Sequence, residues 1–334
     1  MINSISSPDS PHFPVMLNEV IKICSPKNNG LFIDCTFGAG GYSEKLLKFS
    51  KTKVIAFDRD ENVIDFSKKL KKKYPKRFFF HNKKFSEIST VIKDGIAETV
   101  IFDLGLSSMQ LKNLKRGFSF YSKDKIDMTM GLSTISAEEV INNFSQEKLK
   151  SIIKILGEEK EASKIAKNIV NSRINKKITK VNELVNIIEK SKKKIFKNKI
   201  NPSTKTFQAL RIFVNKEISE LIYGIINASK ILKPGGKILV ISFHSIEDKI
   251  IKYFFSNFSS NRSNPSRYLP DQRDKSTLLF HNYKNQTYKP SKREVEQNPP
   301  SRSAKLRFAI RNSNKFIFPS DLLTKFKKYL DLEN

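Results

Sequence analysis

Four short apolar runs, each stopped by a polar side chain, mark the first third of the chain. Leu31-Phe32-Ile33 stops at Asp34, Val54-Ile55-Ala56-Phe57 at Asp58, Phe78-Phe79-Phe80 at His81, and Val100-Ile101-Phe102 at Asp103. Runs this short and this continuous predict strands buried on both faces. Between them lie Lys-rich stretches with helical spacing, such as Val63-Ile64 followed by Ser67 and Leu70. Strand–helix alternation predicts an α/β fold: a doubly wound parallel sheet with helices on both faces.

The pattern then changes. From about Met109 to Asn201 no strong strand signal occurs. Ser136 and Glu139 have the spacing of a capping box at a helix start. Three apolar stripes follow at helical spacing: Leu149, Ile152, Ile153 and Leu156, ended by Gly157; Ala162, Ile165, Ala166, Ile169 and Val170; Val181, Leu184, Val185 and Ile188. These are core faces without assigned chemistry. Afterwards Leu210, Phe213, Val214, Ile218, Leu221, Ile222 and Ile225 line one long helix, Lys233-Pro234-Gly235-Gly236 reads as a turn, and Ile238–Ile241 as a buried strand ending in Ser242-Phe243-His244-Ser245. Ser256 to Pro300 reads as a long surface connection, and Ala304 to Ile310 as a last strand. The expected organisation is a core in two parts, 1–108 and 204–334, around an all-helical insertion domain, 109–203.

Charge narrows the partners. The 334 residues carry 62 Lys and Arg against 33 Asp and Glu, a formal net charge of +29. Part of the excess belongs to a chain rich in Lys, Asn and Ile, but its sign favours polyanions. The two cysteines, Cys24 and Cys35, sit in no metal-ligand spacing, so neither a metal site nor a disulfide framework is expected. Cys35 reads as a packed thiol at a strand end. The leader Met1–Pro14 is polar, and no apolar run approaches membrane-spanning length, which predicts a soluble cytoplasmic protein without membrane contact.

The first strand leads into Asp34-Cys35-Thr36-Phe37-Gly38-Ala39-Gly40-Gly41-Tyr42-Ser43. Glycines there permit a sharp turn and the close approach of a ligand. Some twenty residues on, Asp58 ends the second strand, where a carboxylate accepts from ribose hydroxyls. Together they point to an adenosine-containing cofactor. G-A-G-G lacks the spacing that packs a helix start against a pyrophosphate, which favours S-adenosylmethionine over a nicotinamide dinucleotide. Asp103-Leu104-Gly105-Leu106-Ser107-Ser108 supplies another acidic strand end beside a flexible turn, at the expected switch point.

Several separated blocks carry a wider likeness: Thr36 to Ser43, Phe57-Asp58-Arg59-Asp60, Asp103 to Leu111, Arg116 to Phe120, Ile126 to Met130, Thr204 to Arg211, and Ile241 to Asp248. On these the chain resembles the bacterial ribosomal small-subunit (16S) RNA cytosine-N4 methyltransferase family, from His12-Phe13-Pro14-Val15 to Ser303-Ala304-Lys305-Leu306-Arg307. The resemblance implies a class I S-adenosylmethionine methyltransferase (Rossmann-like) sheet with a helical insertion. It implies methyl transfer to the N4 of one cytosine in 16S ribosomal RNA, near the decoding centre. The substrate is the RNA itself or the assembled 30S particle, and a homodimer is open. Cofactor contacts implied for this chain are Gly40, Gly41, Tyr42, Asp58, Phe85, Asp103 and Gln110. Tyr42 stands where the family usually has His, and Met109 where Ser-Ser-Pro-Gln has Pro. The first contact is expected through the backbone, and the second exchange leaves the Gln110 loop less rigid.

The cytosine amine is a poor nucleophile, and the base must leave its stack to be reached. The turn Leu104 to Ser108 is expected to offer acceptors for the amine hydrogens. No catalytic residue is assigned. His244 is the one tempting proton acceptor among four histidines, and a packed strand-end His competes equally. Phe118, Phe120 and Phe243 could stack on an extruded base or belong to the core. Basic clusters lie at Lys68 to Arg77, Lys190 to Lys199 and Lys289 to Arg293, and Arg302, Lys305 and Arg307 are the preferred phosphate contacts. The rivals are a DNA amino-methyltransferase, disfavoured because Asp103-Leu104-Gly105-Leu106 replaces its Pro-Pro turn; an RNA-binding assembly factor with a vestigial site, disfavoured by the intact Asp58, Asp103 and Gly40-Gly41; and a nicotinamide oxidoreductase, disfavoured by glycine spacing.

Overall fold

The structure, a computed structural model, describes residues 14–26, 29–192, 201–260 and 277–334. The polar leader up to residue 13 with His12 and Phe13, most of the Lys190–Lys199 cluster, and 261–276 of the predicted surface connection lie outside the described residues.

The elements run α1 (Leu17–Cys24), β1 (Gly30–Asp34), α2 (Gly41–Leu47), β2 (Thr52–Phe57), α3 (Ile64–Lys73), β3 (Phe78–His81), β4 (Ala97–Asp103), α4 (Ser108–Lys112), α5 (Ala137–Asn143), α6 (Gln146–Leu156), α7 (Ala162–Asn175), α8 (Val181–Ser191), α9 (Thr204–Asn215), α10 (Glu217–Ile231), β5 (Leu232–Ser242), α11 (Ser245–Asn257), α12 (Lys292–Gln297), β6 (Lys305–Ile310) and α13 (Ser320–Glu333). They build one six-stranded sheet in the order β3-β2-β1-β4-β5-β6. The first five strands are parallel, and β6 pairs antiparallel to β5 with Leu239 opposite Phe308. Strand order reverses between β1 and β4, which opens a crevice at their carboxyl ends. The apolar runs are the reason: Phe32, Ile33, Val54, Phe57, Val100, Ile101 and Phe102 are fully buried.

Between β4 and β5 the helices α5–α8 bury the predicted stripes, apart from the half-buried Val170 and Val185, and Ser136 and Glu139 make the capping box at the start of α5. The single long helix expected around Leu210–Ile225 is two. Lys216 adopts φ 49°, ψ 42°, separating α9 from α10. The apolar stripe continues across this break, so periodicity did not reveal it. The Glu333 side chain at the other end of the chain accepts from the Ile218 and Ser219 amides at 3.1 and 2.8 Å, capping the new helix start.

Two further expectations change. Lys233–Gly236 is an excursion within β5: Leu232 pairs with Ala97, and Lys237 already pairs with Thr99. The excursion is tied down by Gly235 N–H donating to the Arg311 carbonyl at 2.8 Å. The predicted surface connection also contributes core, since Leu279 and Phe280 are fully buried and Phe280 packs edge-on against Phe254 and Phe255.

Candidate active site

The turns after β1, β2 and β4 are stitched to one another. Cys35 N–H donates to the Ile101 carbonyl, Phe37 N–H to the Phe57 carbonyl, and Asp103 N–H to Thr36 Oγ1 at 2.7 Å. The crevice above them is a cleft of about 340 Å³. Gly41, Tyr42, Asp58, Phe85, Asp103 and Gln110 all reach its wall, whereas Gly40 lies behind it. Gly40 has φ 83°, and a Cβ there would stand 2.8 Å from the Phe37 ring. Only glycine makes that turn without displacing the ring.

Asp58 is held in place by backbone donors. Gly38 N–H donates to its Oδ2 at 2.8 Å and Asp60 N–H to its Oδ1 at 2.9 Å. Burial nevertheless pushes its carboxyl up to about 6. Phe85 opens a short 3-10 turn after β3 and packs edge-on against Phe102, centroids 5.3 Å apart. Gly224 of α10 makes room for it, since a Cβ there would come within 2.6 Å of the ring.

Asp103 and Tyr42 form a buried pair. The Tyr42 hydroxyl lies 3.1 Å from Asp103 Oδ2 and also contacts the Val15 carbonyl. A phenol has one hydrogen for these two oxygens. When it goes to Val15, Asp103 must itself donate. Burial, with Asp34, Glu247 and Glu294 adding like charge, outweighs the lowering effect of a hydrogen bond from Tyr42 and pushes Asp103 up to about 8. Thus the Tyr42 side chain links α2 to the end of β4.

Met109 does not leave its loop loose. Ser107 and Gln110 close a capping box on α4, with Gln110 N–H donating to Ser107 Oγ at 3.2 Å and Ser107 N–H to Gln110 Oε1 at 2.9 Å. Gln110 Nε2 donates on to Asp60 Oδ2 at 2.8 Å. The Ser107 hydroxyl is therefore engaged in capping.

Several wall residues escaped the sequence reading. Arg59, Glu217, Glu220, Glu247 and the segment Gln297–Pro300 all line the cleft. Glu217 and Glu220 sit in the first turn of α10, which was invisible while α9 and α10 read as one helix. Arg211 reaches across the break to Glu217, Nε and Nη2 each 2.8 Å from a carboxylate oxygen. At the end of β5, Glu247 Oε2 accepts from Phe243 N–H at 2.8 Å and His244 N–H at 3.3 Å. His244 Nε2 stands 3.2 Å from Glu247 Oε1, but neither ring nitrogen is aligned in a hydrogen bond among the described residues. Polar atoms of Glu217, His244 and Glu247 lie within 4.8 Å of one another. The Arg211 guanidinium supplies the cation for this group. Of the aromatic candidates, Phe243 lines the cleft, Phe118 is buried under Arg116, and Phe120 packs on Phe207.

The family model of the MraW methylase family matches residues 9–312. The chain belongs to the MraW methylase family. Among its relatives in this family is the ribosomal RNA small subunit methyltransferase H of Neorickettsia sennetsu, 41% identical over 297 residues that span 89% of this chain and 94% of that one. The Ehrlichia canis protein of the same name is 40% identical over 304 residues, 90% of this chain and 99% of its own. That of Rickettsia akari is 41% identical over 304 residues, 89% and 97% respectively. The fold of this MraW-family chain is that of a class I methyltransferase, with the cleft at the switch point of the sheet.

Proposed function

We propose that this chain transfers a methyl group from S-adenosylmethionine to the exocyclic N4 of a cytosine in small-subunit (16S) ribosomal RNA, near the decoding centre. The observation that carries the reading is the switch-point cleft, which gathers Asp58, Phe85, Asp103 and Gln110 in a member of a methylase family. The residues fit the donor. Asp103 Oδ1 is buried and without a hydrogen-bond partner among the described residues, as suits a site awaiting a donor or cation. Asp58 stands where ribose hydroxyls are bound, and Phe85 offers a ring face to a purine. Gly41 faces Pro14, where a Cβ would come within 2.7 Å. Gly40, Gly41, Tyr42, Asp58, Phe85, Asp103 and Gln110 are the proposed cofactor contacts, with Gly40 acting by shaping the turn.

Bound S-adenosylmethionine supplies a methyl carbon on a sulfonium, a good leaving group. The chain's own residues do the positioning. The Asp58 carboxylate fixes the nucleoside end, and the Leu104–Ser108 turn, with Phe243 packed beside Gly105, borders the transfer point. We further propose residues 109–203 as an inserted domain that reads the RNA, with 1–108 and 204–334 forming the catalytic core. The substrate is ribosomal RNA, free or in the 30S particle, and the compartment is the cytoplasm. No helix among the described residues is long and apolar enough to cross a membrane.

Calorimetric titration tests the donor site. Wild-type protein is expected to bind S-adenosylmethionine, and Asp58→Ala to bind it at least tenfold more weakly, the loss of about 1.4 kcal/mol or more. Mapping methylated nucleosides in ribosomal RNA from cells with and without the gene tests the acceptor. Loss of N4-methylcytidine is expected, and an unchanged nucleoside profile would refute the assignment.

A further inference from the structure

We propose that Glu247, backed by His244, is the acceptor that receives the proton of the cytosine amine as the methyl group is transferred. This rests on the function proposed above and assigns a residue that the resemblance left open.

Two carboxylates face the cleft where β4 and β5 end, Asp103 and Glu247. They sit close enough for the charge of Glu247 to raise Asp103. Asp103 shares its Oδ2 with the Tyr42 hydroxyl, and burial holds it protonated near neutral pH. Glu247 is the opposite case. Burial pushes it up, but the His244 ring, the Phe243 amide and the Arg211 guanidinium outweigh this and hold it below the usual carboxylate range. Environments that drive two neighbouring carboxyls apart assign their roles: the protonated one donates, the ionised one accepts.

The surroundings of Glu247 hold it in place for this role. The His244 side chain is only 8% exposed, and both ring nitrogens lack a hydrogen bond among the described residues. Leaving a buried polar group unpaired is costly, and Glu247 Oε1 at 3.2 Å is the acid it faces. The charged groups around the pair are Arg211 and Glu217 from α9 and α10 and Asp103 from β4. Because Arg211 holds Glu217 with two hydrogen bonds, Glu217 is already neutralised. Glu247 is left as the ionised acceptor, with His244 beside it.

The step balances. The amine nitrogen forms a bond to the methyl carbon as the carbon–sulfur bond breaks. The bonding pair stays on sulfur, which becomes a neutral thioether. One N–H proton passes to the Glu247 carboxylate, and from there to solvent after product release. A carboxylate on that N–H also raises the nucleophilicity of a nitrogen whose lone pair is otherwise drawn into the ring.

The test uses the full-length protein and small-subunit particles from cells lacking the gene. Glu247→Gln is expected to bind S-adenosylmethionine within threefold of wild type. Its kcat for methyl transfer is expected to fall by about 100-fold or more, the range of a lost general base, with KM for the donor unchanged. His244→Gln is expected to lower kcat about tenfold and to alter the acidic limb of the pH–rate profile. A Glu247→Gln enzyme that keeps kcat within threefold overturns the proposal. Where Glu247→Gln fails to fold, His244→Gln decides, and an unaltered kcat and pH profile overturn it. Wild-type protein that does not bind the donor refutes the cofactor reading itself, an outcome distinct from loss of turnover with binding intact.

Discussion

At the scale of single residues, Asp103 couples the site to pH. An exposed carboxyl titrates near about 4, whereas burial raises that of folded Asp103 to about 8. Between those values the folded protein holds a proton that the unfolded chain has released. Stability is therefore lost as pH rises through this window. Asp103→Asn removes the effect and keeps the shape. Urea melts of the free protein from pH 5 to 9 are expected to show the variant gaining on wild type with rising pH, by on the order of 4 kcal/mol. Asp34 and Asp58, both also raised to about 6, act equally in the two proteins and cancel. A constant difference across the range would show that Asp103 is ionised throughout. Asp58, Asp103 and the glycines were legible because they occupy strand ends and turns, places that local sequence marks. Glu217, Glu220 and Glu247 were not. They lie on helix starts, where an acidic side chain is ordinarily a favourable partner of the helix dipole and carries no mark of a cleft.

At the scale of elements, the start of α10 carries two acidic wall residues and is held from the opposite end of the chain. Glu333 on α13 accepts from two amides and the Ser219 hydroxyl there, and burial raises its carboxyl to about 7. Glu333→Ala should lower stability by about 1–2 kcal/mol, the usual loss for a helix cap, measurable as a shift in denaturation midpoint. An unchanged midpoint would mean that solvent caps α10 equally well. The same contact explains where periodicity failed. An apolar stripe records which face is buried, and Leu210, Phe213, Ile218 and Leu221 were assigned to the buried face correctly. It does not record a left-handed residue such as Lys216 that tertiary contacts impose. The Lys233–Gly236 turn was similarly visible as chemistry, but its place inside β5 depends on pairing with β4 and β6. Leu279 and Phe280 were lost in a polar neighbourhood, although they fill a gap against α11.

At the scale of the whole molecule, charge is divided. The chain carries +29 overall, yet in the cleft wall carboxyl groups outnumber cations, with Asp58, Asp103, Glu217, Glu220 and Glu247 beside Arg59 and Lys112. A basic exterior draws in a polyanion, while an acidic interior suits a cationic donor. The two binding events should therefore answer salt differently. Affinity for ribosomal RNA should fall at least about tenfold between roughly 50 and 200 mM salt as counterions are no longer released to advantage. Donor affinity, set by buried groups, should change little. The preferred phosphate contacts divide along the same line. Arg302 is exposed. Arg307, expected from sequence to face phosphate, is instead buried, with Nε donating to Asp248 at 2.7 Å and Nη1 to the Tyr283 hydroxyl at 3.0 Å. Its strand β6 turns that side chain inward, and the ion pair compensates its burial. Arg302→Ala should thus reduce the salt slope of RNA binding and leave folding unchanged. Arg307→Ala removes one of the two cations that hold Asp248, leaving Lys305 at 2.9 Å, so it should lower stability by about 1–3 kcal/mol. RNA affinity that is insensitive to salt would remove the exterior charge from the account of substrate capture, and a stable Arg307→Ala protein would return Arg307 to the RNA-facing surface.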